Sequence, residues 1–361
     1  NGIVTRLEST AQELNRAGHR VLILAPGGCD PECVGAEVRT VPALGLPFIY
    51  GGQPWGLPLP RTRHLLGDFE PDLVHAVSPV LLGWSGVVFA KTHGLPLVCS
   101  YHTHVARYAH FYKLGFLERP VWALMVQALL LADVRLAAST AAAAELEAQG
   151  VPGVHLWRGG VDLELFHPDR RDDAVRARLS GGHPERRLAI YVGRLAAEKG
   201  VERLRPLADA EVCHLVLVGD GPARAHLEAG FAGSPCTFTG TLAGAELAAA
   251  YASADLFVFP STTDTLGLVL LEAMASGLPV LAARSPASTE LMAGAPAGGL
   301  FDPDDGPGLV AAARRSLASP VDRRALAEAA LGVAPSWELS TRGLLEHYRA
   351  AIETAAQRSA A

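Results

Sequence analysis

Hydrophobic positions along this chain fall in short β-branched or Leu-rich runs separated by longer amphipathic stretches. That alternation predicts βα units on parallel sheets, an α/β fold. In the first half it predicts strands over Val21–Ala25, Glu37–Val41, Leu73–Ala76, Leu97–Tyr101, Val134–Ala138 and Val154–Arg158. Helices are expected over Ile3–Ala17, Leu81–Thr92, Pro120–Leu131 and Ala141–Gln149, and the Pro/Gly-rich stretch Pro42–Pro60 reads as a long loop. A polar, Arg/Asp-rich segment from His167 to Arg187 breaks the pattern and reads as a domain boundary. The alternation then restarts with strands over Leu188–Val192, His214–Val218, Thr237–Thr239, Leu256–Phe259, Pro279–Ala282 and Gly298–Phe301. The helices predicted with them cover Val201–Ala208, Ala223–Ala229, Gly244–Ser253, Leu268–Ser276, Gly308–Ala318 and Arg323–Leu331, and a last one runs from about Thr341 to Ala356. Two domains follow, 1–166 and 167–340, with 341–361 a terminal helix expected to pack back on the first. Two such halves imply a cleft, and open parallel sheets bind ligands at the C-terminal ends of their strands.

Composition narrows the class. With 361 residues, 49% hydrophobic and 19% charged, the chain can bury two cores of ordinary size. Its net charge of −6 argues against a nucleic-acid partner held by bulk charge. The five cysteines are scattered, and Cys29 and Cys33 lack partners at zinc spacing, so reduced thiols in a cytoplasmic protein are expected. The longest apolar stretch, Val121–Ala132, is interrupted by Gln127 and is too short to span a bilayer. The chain opens at Asn1-Gly2 directly into a helical pattern, without the strand that usually precedes such a turn, and a start downstream of the natural one is expected.

Candidate chemistry gathers at predicted strand ends of the second half. In Phe259-Pro-Ser-Thr-Thr-Asp264-Thr-Leu-Gly267-Leu268-Val-Leu-Leu-Glu272 a strand runs into a polar loop and then a helix, so two carboxylates flank a helix N-terminus. Free N–H groups there attract anions, while each acid accepts from a hydroxyl; a solvated helix start with an acidic first turn gives the same pattern. Gly193-Arg194-Leu-Ala-Ala-Glu-Lys199-Gly200 sets two cations on one loop, and lysine occurs elsewhere only at Lys91 and Lys113. Arg offers a fork to phosphate oxygens and Lys a point charge; a surface loop with Glu198 as counter-charge is the alternative. Val218-Gly219-Asp220-Gly221-Pro222 is a third strand-end turn, with Asp220 suited to capping the next helix. Phe238-Thr239-Gly240-Thr241-Leu242 is the fourth. Asp302-Pro-Asp304-Asp305 imitates a metal motif but sits in a turn-like context and reads as a helix-capping loop. His102 and His104 alternate on a strand end and point opposite ways, which argues against a zinc site built from the two.

In this order, Gly-Arg-x4-Lys-Gly, Val-Gly-Asp-Gly-Pro, Phe-Thr-Gly and Asp264-x7-Glu272 resemble retaining glycosyltransferases of family 4, with the GT-B fold. In the first half the likeness includes Pro71-Asp-Leu-Val-His75, Ser100-Tyr-His102-Thr-His104, Ser139 and Arg158-Gly-Gly-Val161-Asp162. The resemblance implies two Rossmann-like domains facing a cleft, an acceptor side at 1–166 and a nucleotide-sugar side at 167–340, with the first strand of the N-terminal domain missing. It implies that Arg194 and Lys199 bind the donor diphosphate and stabilise it as leaving group. Glu272 would accept from ribose hydroxyls and Asp264 from hydroxyls of the transferred sugar. Gly267, Leu268, Gly2 and Gly219 would bring backbone to the donor, the base would lie against Thr241 and Leu242, and His102 would reach the donor sugar from the other domain. The first carboxylate of the motif is usually Glu; Asp264 is about one methylene shorter, which leaves the donor sugar open. His102, His104, Tyr108, Tyr112, Leu117, Pro120 and Trp122 are similar to the branch of sulfoquinovosyl and mannosyl transferases that use diacylglycerol-type acceptors.

The expectation is therefore sugar transfer from a UDP- or GDP-sugar to a hydroxyl acceptor, a lipid or small molecule, with retention and without metal or other cofactor. Val105–Leu117 mixes aromatics with Arg107, Lys113 and His110, a composition suited to peripheral contact at the inner membrane face or to a helix lining an acceptor site. A non-catalytic nucleotide-sugar-binding module and a GT-B epimerase or phosphorylase are the rival readings. A phosphorylase needs a lysine for pyridoxal phosphate, and Lys199 is already assigned.

Overall fold

The computed structural model describes residues 2–27, 35–45, 54–57, 60–102, 115–333 and 335–360. They form two compact units: Ile3–Gly159 with Trp337–Ala361, and a second built on Gly160–Ser336.

The first unit carries a four-stranded parallel sheet ordered Val74–Val77, Leu97–Tyr101, Val134–Ala137, Val154–Leu156. Leu97–Tyr101 is buried at every position, as a strand covered on both faces must be. Cys99 and Tyr101 face a core with Val87, Phe89, Met125 and Leu129. Val98 faces Leu136, Trp157, Leu344 and Ala351, so the terminal helix Trp337–Ala360 is a layer of this sheet. Buried Asp133 fastens that helix, accepting from Leu97 N at 2.8 Å and pairing with Arg358. Leu22–Pro26 and Glu37–Val41 form a separate parallel pair, whose Leu22 and Leu24 pack on the same core as Cys99.

The second unit has six parallel strands ordered Cys236–Gly240, His214–Val218, Leu188–Val192, Leu256–Phe259, Val280–Ala283, Gly298–Phe301. The chain starts in the middle, winds outward, then returns to pair Leu256–Phe259 with Leu188–Val192 on its other side. Strand order reverses between these two, and ligands bind doubly wound sheets outside the carboxyl ends at that point.

Several elements differ from the sequence expectation. His167–Arg187 is not the boundary but lies inside the second unit, and it holds the helix Asp173–Leu179, whose N-cap Asp172 accepts from Ala174 N and Val175 N. Its Arg176 is buried, donating to the Pro184, Ser253 and Arg186 carbonyls and to Asp255 at 2.8 Å. The units divide at 159/160 and 336/337, where the sequence suggested 166/167 and 340/341. Val161 N bonds Pro335 O at 2.9 Å, drawing the stretch before His167 into the second unit. The terminal helix begins at Trp337, with Ser340 Oγ donating to Arg158 O at 2.6 Å. Pro206 falls in the expected helix Val201–Ala208, which is a 3-10 turn, Val201–Leu204, followed by Arg205–Asp209. The helices Pro60–Gly67 and Pro286–Met292 are additional.

Candidate active site

Three loops at the strand ends of the second unit are fastened to one another through their backbones. Gly193 N donates to Val218 O at 3.0 Å, Leu195 N to Asp220 O at 3.0 Å, and Gly219 N to Gly240 O at 2.8 Å. Gly219 has φ +128°, and a Cβ there would sit 2.0 Å from the Gly193 carbonyl oxygen. Only glycine permits that approach. Tyr191 then donates its hydroxyl to Arg194 O at 3.0 Å, fixing the backbone that carries the Arg194 side chain.

The fourth loop joins them through side chains. Lys199 donates to Asp264 Oδ1 at 2.5 Å, and both side chains are about one-fifth exposed (19% and 21%). Thr263 donates to the Glu198 carbonyl at 3.0 Å and Arg203 to the Pro260 carbonyl at 3.3 Å, tying the two loops at the switch point. Gly267, at φ +74°, turns the chain into the helix Leu268–Ala275, whose first N–H groups receive no side-chain cap from it. Glu272, in the second turn, accepts from the buried Tyr251 hydroxyl at 2.9 Å. Burial pushes the Glu272 carboxyl up to about 6, against the lowering effect of that hydrogen bond. Arg194, Lys199, Gly219, Asp264, Gly267, Leu268 and Glu272 thus share one rim. Thr241 and Leu242 follow the outer strand Cys236–Gly240; Thr241 is exposed, and Leu242 packs against the core.

In the first unit His102 follows the strand Leu97–Tyr101 and is 9% exposed. Its Nε2 lies 2.8 Å from Ser100 Oγ, which lies 2.7 Å from His75 Nε2; His75 Nδ1 is 2.8 Å from the Tyr348 hydroxyl. Both imidazoles lie against Trp157, with ring centroids 5.1 Å and 5.3 Å away, and the Arg6 guanidinium sits 3.9 Å from the Trp157 ring centroid. Burial, with Arg6 nearby, lowers His75 to about 3 and holds His102 well below the usual histidine range. Gly2 opens the helix Gly2–Arg16.

Tyr251 and Tyr348 support functional candidates without belonging to any strand-end motif. Asp220 does not cap the next helix: its carboxylate accepts from Gly221 N at 2.7 Å and from Arg224 at 3.0 Å, so the acid secures its own turn. Asp305 caps Gly306–Ala318 through Gly308 N at 2.9 Å, as the turn context suggested. Asn1, Cys29, Cys33, Lys113, His104, Tyr108, Tyr112 and the part of Val105–Leu117 before Gly115 lie outside the described residues. Among the described residues no helix is long and apolar enough to cross a membrane.

Two parallel-sheet Rossmann-like units, one with a glycine-rich cationic rim at its switch point, define the GT-B class of glycosyltransferases. Sucrose-phosphate synthase from Thermosynechococcus elongatus shares the fold with a TM-score of 0.74 at 22% identity, over 94% of this chain and 91% of that one. Residues 1–165 match the family model Glycosyltransferase Family 4, and residues 186–319 match Glycosyl transferases group 1. A GDP-mannose-dependent alpha-mannosyltransferase of Mycolicibacterium smegmatis is 38% identical over 100% of this chain and 96% of its own length. Sulfoquinovosyl transferase SQD2 of Arabidopsis thaliana is 40% identical over 79% of this chain and 57% of its own length. The chain belongs to glycosyltransferase family 4, and its chemistry is sugar transfer from a nucleotide-sugar donor.

Proposed function

We propose that this enzyme moves a hexosyl group from a UDP- or GDP-sugar to the hydroxyl of a diacylglycerol-type lipid, with retention at the anomeric carbon and without an essential metal. The observation that carries the reading is the switch-point rim, where Arg194, Lys199 and the start of Leu268–Ala275 stand beside Asp264 and Glu272. Cations and free N–H groups suit a diphosphate, and flanking carboxylates suit the polyols at its two ends. On this reading Arg194 and Lys199 stabilise charge as it develops on the leaving diphosphate. The Lys199–Asp264 contact couples the leaving group to the sugar: Asp264 orients Lys199 and accepts from sugar hydroxyls. Glu272, held by Tyr251, accepts from the ribose. Departure of the diphosphate leaves an oxocarbenium-like centre; the acceptor hydroxyl enters on the same face and its proton passes to the departing phosphate. His102 donates to the sugar.

The lipid acceptor draws support from the first unit. Phe116 is 74% exposed, and Leu124, Leu130 and Leu131 line the outer side of the helix Glu118–Leu131 beside Arg119. An apolar face with a basic residue in the helix's first turn suits peripheral contact with a membrane. The relatives' names add a sulfoquinovosyl and a mannosyl donor as sugar classes to try first. The test is release of UDP or GDP from each nucleotide-sugar with and without a diacylglycerol-type acceptor, followed by NMR of the product. Acceptor-dependent release with the donor's own anomeric configuration is expected. Inverted product, or no release with any lipid acceptor, would overturn the reading.

A further inference from the structure

The chain of contacts from Tyr348 to His102 fixes more than the position of a ring. It has three links, and each needs one proton between two heavy atoms. Among the described residues, the Tyr348 hydroxyl has His75 Nδ1 as its hydrogen-bond partner, at 2.8 Å, and sits beside the buried cluster of Val98, Trp157 and Leu344. A phenol in such surroundings keeps its proton, since burial raises its pKa. The proton has His75 Nδ1 to go to, so Tyr348 is the donor in that link. His75 Nδ1 is then an acceptor.

The remaining links follow by elimination. A neutral imidazole carries one N–H, so His75 carries its proton on Nε2 and donates to Ser100 Oγ at 2.7 Å. The Ser100 hydroxyl has a single proton and is completely buried, with His75 Nε2 and His102 Nε2 as its side chain's partners. Having accepted from His75, it donates to His102 Nε2 at 2.8 Å. His102 Nε2 is thereby an acceptor. We infer that Tyr348, His75 and Ser100 are positioning residues that fix His102 as the tautomer with its proton on Nδ1, the nitrogen outside the relay.

Arg6 complements the relay. Its guanidinium lies over Trp157, against which both imidazoles are set, and it opposes a positive charge on either. A doubly protonated His102 would place a second donor against the Ser100 hydroxyl, and a doubly protonated His75 would set its Nδ1–H against the Tyr348 hydroxyl proton; either breaks the proton order. The arrangement turns His102 into a neutral, oriented hydrogen-bond donor, a second group fixing which nitrogen carries the proton. The functional consequence rests on the proposed place of His102 at the donor sugar, where a neutral ring of this tautomer can donate from Nδ1 alone. Tyr348 belongs to the helix Trp337–Ala360, so the C-terminal segment sets the proton of a residue 246 positions earlier in the chain.

Long-range 1H–15N NMR of histidine-labelled protein tests this, because it distinguishes the two neutral tautomers. In the wild type, His102 is expected as the Nδ1–H form. Tyr348→Phe removes the donor that sets the order, and Ser100→Ala removes the link next to His102. Each variant is expected to give a mixture of tautomers at His102 and a fall in kcat of about tenfold, with donor KM changing less than about threefold. An Nε2–H wild-type His102, or an unchanged His102 tautomer in a folded Tyr348→Phe protein, would overturn the relay. The wild-type spectrum decides the tautomer even if a variant fails to fold. His102→Ala separates the two readings: full transfer activity in that variant, with an Nδ1–H signal in the wild type, would leave the relay standing and remove His102 from the sugar.

Discussion

The second unit joins its glycine loops, the one bearing Arg194 among them, through backbone, whereas the first unit mounts His102 on other side chains. At the switch-point rim, main-chain hydrogen bonds at 2.8–3.0 Å join the Gly193, Gly219 and Gly240 loops, and Arg194 and Lys199 project from that lattice. In the first unit one imidazole ends a chain of Ser100, His75 and Tyr348 side chains inside a packed core. The difference matches the tasks proposed for each. A diphosphate is large, charged and mobile, and long cations on a rigid rim can follow its charge as it departs. A sugar oxygen needs one donor at one place, which a buried network supplies with little reorganisation.

The contrast can be broken first at its charged end. Lys199→Ala should lower kcat by about 10²–10³-fold, corresponding to about 2.7–4 kcal/mol of lost leaving-group stabilisation, while donor affinity falls much less. Steady-state kinetics beside equilibrium donor titration separates the two; weakened binding with unchanged kcat would remove Lys199 from the chemistry. A backbone lattice should also be intolerant of a single methyl group. Gly219→Ala drives a Cβ toward the Gly193 carbonyl and should cost roughly 1–3 kcal/mol of stability, seen as a lower denaturation midpoint together with weaker donor binding. A Gly219→Ala variant with wild-type midpoint and affinity would show that the loops are not held as described.

A smaller effect distinguishes the acids. On the proposed reading Glu272, raised to about 6 by burial, accepts from ribose hydroxyls more strongly as the carboxylate than as the acid, so donor affinity should fall as pH drops through about 6. The Tyr251 hydroxyl favours the carboxylate, and its loss in Tyr251→Phe should raise the Glu272 pKa further. The acid limb of donor binding is expected to move up by about one pH unit, roughly 1.4 kcal/mol. A limb that stays in place or moves down in calorimetric titrations across about pH 5–8 would sever Tyr251 from the site.

Much of the second unit was legible because its strands are covered on both faces. Leu188–Val192, His214–Val218 and Leu256–Phe259 stand where continuous apolar runs put them. The motif glycines and cations could be read there too, since strand-end loops carry them in sequence order. Composition misled at His167–Arg187, where a buried arginine looks like a solvated one until Asp255 and three carbonyls are found around it. The helix Pro286–Met292 carries a start signal in its own sequence: Ser285 and Ser288 form a reciprocal capping box, with Pro286 at the first helical position. His75 and Ser100 belonged to the recognised motifs, yet their link to His102 and Tyr348 appears only when residues 75, 100, 102 and 348 fold together. Sequence spacing carries no trace of such a network. Tyr251 was hidden for the same reason, sitting 21 residues from the acid it serves.

The central claim is that the Arg194–Lys199 rim holds the diphosphate of a nucleotide-sugar. A thermal-shift panel of UDP- and GDP-sugars against the wild type and an Arg194→Ala, Lys199→Ala double variant tests it most directly. One nucleotide class should raise the wild-type Tm by mass action, by about 2.7 kcal/mol of stabilisation at 100 times Kd, and should leave the double variant nearly unshifted. A Tm that no nucleotide-sugar moves, or a shift equally large in both proteins, would contradict the account.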